Sequence, residues 1–145
     1  MKMNNFIKKY KFGSNRQLII IAIILVSMLT TLVGCRGSKT FQGTWYSQNS
    51  DGKNLNIIFT EKKVSIDGDE YNYTQNAIGT ENGVKYYGIV QNGKHYSIIF
   101  PTKDRNIALM IEPDSSDDYL QGTLLFAMNK RSTPNYNNYA KKYIH

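Results

Sequence analysis

From residue 41 onward, apolar and polar residues alternate with a period of two. Leu55, Ile57 and Phe59 alternate with Asn54, Asn56 and Thr60, and Val64 and Ile66 alternate with Lys63, Ser65 and Asp67. Successive side chains of a strand point to opposite faces, so this pattern predicts strands with one face buried. Tyr71 and Tyr73 carry the period on through 71–76, which predicts a single strand with both rings on one face. Further strands are predicted over 84–91, 95–100, 106–112 and 120–129, and the segment around Trp45 brings the count to about eight.

The punctuation between these segments predicts how they pair. Asp51-Gly52, Asp67-Gly68, Asn82-Gly83 and Asn92-Gly93 each fall between strand candidates. Such pairs supply the positive φ angles that tight hairpin turns require, so consecutive strands should be antiparallel. Asp114 to Asp118 forms a longer polar turn before the last strand. Many short strands with regular turns predict a barrel or a sandwich. The period then changes. After Thr133, a candidate N-cap, and Pro134, Tyr136, Tyr139, Ala140, Tyr143 and Ile144 recur at spacings of three and four, which predicts a short C-terminal helix packed on the sheet.

The N-terminal pattern is of another kind. Residues 18–33 are almost continuously apolar and follow a basic segment containing Lys2, Lys8, Lys9, Lys11 and Arg16 with no acidic residue. That is the layout of an export signal, although the run is also just long enough for a membrane-spanning helix. Leu32-Val33-Gly34-Cys35 ends it and resembles a bacterial lipobox, in which the cysteine receives a diacylglycerol thioether. The resemblance implies cleavage after Gly34, lipidation of Cys35 and a place on the extracytoplasmic face of the membrane. Two acyl chains suffice for stable anchoring. The expected organisation is therefore a signal peptide at 1–34, lipidated Cys35 and tether at 35–40, a β-domain at 41–132 and a helix at 133–145.

That division changes the meaning of the charge. The whole chain carries a net charge of +7, but five of its 18 basic residues precede Gly34, leaving 13 against 11 acidic residues and a net +2. Lys62-Lys63, Lys130-Arg131 and Lys141-Lys142 are isolated pairs with no stripe to follow a phosphate backbone, so nucleic acid is not an expected partner. The chain has one cysteine, so the domain must hold together without an internal disulfide.

Candidate chemistry is sparse. His95 is the only histidine before the terminal His145, and Ser97 shares its strand face, but no nucleophile motif surrounds them. Adjacent Asp69 and Glu70 point to opposite faces of a strand and cannot act as a local acid/base pair. Asp114, Asp117 and Asp118 lack the spacing of a calcium loop, and no Cys/His set suits zinc. The expectation is no enzyme, no metal and no cofactor. Tyrosine is more suggestive. Tyr71, Tyr73, Tyr86 and Tyr96 fall on central strands, where a ring with a polar tip suits a ligand pocket. Tyr86 and its neighbour Tyr87 face opposite ways, so at most one of them lines an interior.

Gly43-Thr44-Trp45, at the start of the first strand, resembles the G-x-W signature of lipocalins and other calycins. The resemblance implies an eight-stranded antiparallel up-and-down barrel. It also implies that Trp45 closes one end beneath a basic residue from the last strand, Arg131 or Lys130. Residues 43–48 also resemble the opening of avidin-type biotin binders, whose pockets use several tryptophans where this chain has one. Residues 32–145 as a whole resemble small surface lipoproteins of streptococci and their relatives, which implies a location and a calycin-like fold but no activity. An eight-stranded barrel is either filled by side chains or holds one small molecule. Leu55, Ile57, Phe59, Ile98, Phe100, Leu109 and Phe126 are the expected interior. The first functional expectation is a membrane-anchored, monomeric module binding a small apolar or amphipathic ligand. The alternative is a solid barrel that engages another surface protein, an envelope polymer, or a hostile enzyme or phage component.

Overall fold

The computed structural model describes residues 36–144. The expected export signal at 1–34, the lipidation site Cys35 and the terminal His145 lie outside the described residues. The described elements are β1 (Gly43–Asn49), β2 (Asn54–Phe59), β3 (Lys63–Ile66), β4 (Asp69–Asn72), β5 (Thr74–Glu81), β6 (Val84–Gln91), β7 (Lys94–Phe100), β8 (Ile107–Ser115), β9 (Asp118–Asn129) and α1 (Tyr136–Tyr143). The strands form one antiparallel up-and-down sheet in the order β4-β3-β2-β1-β9-β8-β7-β6-β5.

Three turns follow directly from their residue pairs. Asp67 and Gly68, Asn82 and Gly83, and Asn92 and Gly93 all have positive φ at both positions, the requirement of a two-residue hairpin with the correct twist. At Asp51-Gly52 only the glycine has positive φ. There the Asn49 side-chain oxygen holds a longer turn by accepting from the backbone N–H groups of Asp51 and Lys53.

The sheet has nine strands where eight were expected, and hydrogen bonds do not close it. The stretch 71–76 divides at Tyr73, with β4 pairing to β3 and β5 pairing to β6. In a row of nine antiparallel strands the first and last point the same way. β4 and β5 are thus two successive courses of chain running in one direction and handed from β3 to β6 across a single residue. Tyr73 is tied at the break, its N–H donating to the Lys62 carbonyl at 2.9 Å and its hydroxyl to the Thr60 carbonyl. Its ring is consequently buried while Tyr71 stays exposed, although both rings lie on the interior side of the sheet, Tyr73 in the core and Tyr71 at the cavity.

The sheet curls strongly. Trp45 on β1 and Phe100 on β7 lie 6.1 Å apart between ring centroids although two strands separate them in the sheet. The enclosed face carries Trp45, Ile57, Phe59, Val64, Tyr87, Ile89, Ile98, Phe100, Met110 and Met128. A second apolar cluster, Ile99, Leu109, Ile111 and Leu124, occupies the opposite face. Leu109 therefore belongs outside the interior where it was expected. Strand β8 buries Ala108 through Ile111 without a break because each of its faces has its own cover, and such a strand shows no alternation.

Helix α1 is that outer cover, packing Tyr136, Tyr139, Ala140, Tyr143 and Ile144 on the second cluster. Its N-cap is Asn135, whose side chain accepts from the Asn138 N–H at 2.9 Å, so the helix starts later than a Thr133 cap would place it. The Tyr136 hydroxyl donates to the Leu124 carbonyl at 2.7 Å, and the Tyr136 N–H donates to the Gln48 side chain at 2.9 Å.

Candidate ligand pocket at the open end of the interior

The interior differs at its two ends. At one end Phe41, Phe59, Tyr73, Tyr87 and Phe100 pack ring against ring, with centroid separations of 5.2 to 6.1 Å. Trp45 completes this end. Its Nε1 donates to the Phe41 carbonyl at 2.8 Å, and the Lys130 Nζ stands 4.8 Å from its ring centroid. The basic residue over Trp45 is thus Lys130. Its neighbour Arg131 is exposed, with its N–H donating to the Asn129 side chain at 2.8 Å. Gly43 opens β1 at φ 107°, a conformation that a side chain would strain, and this accounts for glycine two residues before the tryptophan.

Residues 36–41 are bound into the same end. The Gly37 N–H donates to the Glu61 carbonyl at 2.8 Å, the Ser38 N–H donates to Gln75 Oε1 at 2.8 Å, and the Gln42 side chain donates to the Gly37 carbonyl at 2.6 Å. Phe41 is fully buried among the aromatic rings. The segment read as a tether therefore makes fixed contacts with the sheet from Gly37 onward, and Arg36 pairs with Glu61 at 3.4 Å.

The other end is hollow. A cavity of about 450 Å³ opens there between β2, β3 and β4 on one side and β6 to β9 on the other. Leu55, Ile66, Ile89, Met110 and Phe126 form its apolar wall. A β-bulge between Met110 and Ile111 leaves Leu125 unpaired against β8, and Leu125 and Phe126 both face the cavity as a result. Of the four tyrosines expected to bind ligand, Tyr96 and Tyr71 line this cavity. Tyr73 belongs to the packed aromatic end, and Tyr86 lies on the other face, stacked on Tyr119 at 5.1 Å.

Polar groups gather at the rim. Lys53 and Asp67 reach it from the β1–β2 and β3–β4 turns, and Asp69 and Gln91 from the adjoining ends of β4 and β6. Lys53 pairs with Asp67 at 3.2 Å. That ammonium and the Asn56 N–H hold the Asp67 carboxyl below the usual carboxylate range. The tight Asp67-Gly68 turn places Asp69 opposite Ile66, and hence on the cavity side of β4. Periodicity did not single out Asp67, Asp69, Lys53 or Gln91, but the hairpin register could have done so once the turn was recognised.

The remaining candidates fall elsewhere. The Ser97 Oγ is buried without a hydrogen-bond partner, whereas the His95 Nδ1 lies 3.5 Å from the Asn76 side-chain nitrogen, so the two do not form a nucleophile–base pair. Asp118 Oδ1 accepts from the N–H groups of Leu120 and Gln121 and so structures the β8–β9 turn. Among the described residues, no group of three or more His, Cys, Asp or Glu is placed to hold a metal, and no helix is long and apolar enough to cross a membrane. Compared with known proteins, the chain matches no family model, no curated protein and no solved structure.

Proposed function

We propose that the chain is a membrane-anchored extracytoplasmic lipoprotein with a calycin-like binding module. Its ligand is a small, partly apolar molecule held at the open end of the curled sheet. The observation that carries this reading is the asymmetry of the interior, with one end packed by aromatic rings and the other hollow over about 450 Å³. That volume falls within the range of about 300–1,000 Å³ common to small-molecule sites, as does a mainly apolar wall with a few polar groups at its rim. The glycine at φ 107° and the lysine over Trp45 support the calycin-like reading, since both have the places which the G-x-W resemblance implies.

Support for a fixed orientation comes from the N-terminal contacts. Arg36, the residue after Cys35, meets Glu61 beside the β2–β3 turn at the packed end. A lipid on Cys35 then holds the packed end toward the membrane and leaves the cavity mouth facing away. No catalytic step is proposed.

Native mass spectrometry of the protein taken from its own membranes tests the reading. The expected result is a stoichiometric small adduct that disappears in Ile89→Trp, which fills the cavity. Identical adduct-free spectra for the two proteins contradict it. The second reading, an interaction protein, draws support from Tyr46 and Ile58 on the outer face of β1 and β2, each 41% exposed. Crosslinking on intact envelopes tests it, with capture dependent on Tyr46 and Ile58 as the supporting result.

A further inference from the structure

We infer that the cavity selects ligands with an apolar body and a single cationic group, an amine or a quaternary ammonium. This rests on the pocket reading above and adds the charge class of its ligand. The charged side chains that line the cavity are Lys53, Asp67 and Asp69. Lys53 and Asp67 neutralise each other at 3.2 Å, and Asp67 also accepts from the Asn56 N–H. Among the described residues the Asp69 side chain has neither an ion pair nor a hydrogen bond, so one uncompensated negative charge stands at the mouth. Lys94 lies opposite Gln91 in the β6–β7 hairpin, but its side chain is exposed and does not line the cavity.

The aromatic groups reinforce the same polarity. Tyr71 follows Asp69 on the same side of β4, and Tyr96 lines the cavity from β7. The faces of such rings are negative and attract cations. An anionic ligand finds no equivalent, because the one lysine of the lining already has a carboxylate partner. An apolar body would contact Leu55, Ile66, Ile89, Met110 and Phe126 below the rim.

Three probes with one rigid body separate charge from shape: adamantylammonium, adamantanol and adamantanecarboxylate. They are titrated against the full chain in nanodiscs of an uncharged glycolipid, with empty discs as the blank. The cation should bind about two- to fivefold more tightly than the alcohol, as expected for one partly exposed ion pair, and the carboxylate should bind most weakly. The preference should shrink as salt is added. Asp69→Asn should remove most of the cation's advantage over the alcohol, and Asp69→Lys should reverse the order of cation and carboxylate. Since the Asp69 side chain is exposed and makes no hydrogen bond, both variants should keep the fold, which their thermal transitions check. Equal binding of the three probes to the native protein overturns the inference while leaving the pocket in place. Saturable binding of none of them overturns the pocket reading itself.

Discussion

The Lys130 ammonium, 4.8 Å from the centroid of the Trp45 ring, also donates to the Gln42 carbonyl at 3.2 Å. One side chain from the end of β9 thus ties the entry to β1 and covers its tryptophan. Lys130→Met should lower stability by about 0.5–2 kcal/mol, the range for a cation over an indole, whereas Arg131→Met should change it by less than about 0.5 kcal/mol. Trp45→Ala removes a fully buried aromatic and should cost about 3–5 kcal/mol. Denaturant melts of the three variants give the ranking directly.

Tyr73 predicts a dependence on alkaline pH. Burial and then the nearby Glu61 charge push its phenol up to about 12 from an ordinary value of 10.0. The folded state therefore keeps the proton that the unfolded chain releases. The associated stability is intact below about pH 10 and is lost as pH rises toward 12. Ultraviolet titration should show a tyrosine ionising near pH 12, and stability over that window should fall less steeply in Tyr73→Phe.

Much of the fold was legible wherever one physical rule acted alone. Asp67-Gly68, Asn82-Gly83 and Asn92-Gly93 read as hairpins because few other residue pairs tolerate positive φ twice in succession. β2 and β3 read as strands because only one of their faces is buried. Legibility failed where two covers act on one strand. Leu109 and Tyr86 belong to a face packed by α1 and β9, so their burial carries no alternation by which to assign a side. The break at Tyr73 was hidden for a different reason. The alternation runs through it unbroken, and what divides β4 from β5 is a hydroxyl reaching Thr60, a contact between residues 13 apart. Similarly, adjacent Lys130 and Arg131 are equivalent as sequence, and the geometry after Asn129 decides which of them meets Trp45. The cavity's tyrosines were half legible, since Tyr71 and Tyr96 reach it, but its charged rim depends on turn register.

Gly37 provides a test of the docked N-terminal segment. A Cβ added there would collide with the Tyr73 hydroxyl, which in turn is held by Thr60. Gly37→Ala should cost about 1–3 kcal/mol, as overpacking of a filled interior does. Adding Tyr73→Phe should recover part of that loss, because the hydroxyl is the nearest colliding atom. A double-mutant cycle measured by thermal melts checks the coupling.

The proposed anchor makes a separable prediction. Cys35→Ala should abolish incorporation of labelled fatty acid and block normal processing. The melting transition of the β-domain should not move, since the described sheet and core begin after that residue. Undiminished labelling would remove the anchor from the account.

The most direct test of the central claim compares two methionines of the same interior. Met110 lines the cavity, while Met128 is fully buried in the same core cluster but is not part of the cavity wall. In a protein carrying ¹³C-labelled methionine methyl groups, titration with adamantanol should shift the Met110 resonance saturably and leave Met128 unmoved. An unchanged Met110 resonance, or equal movement of both, would contradict a ligand site at the open end of the sheet.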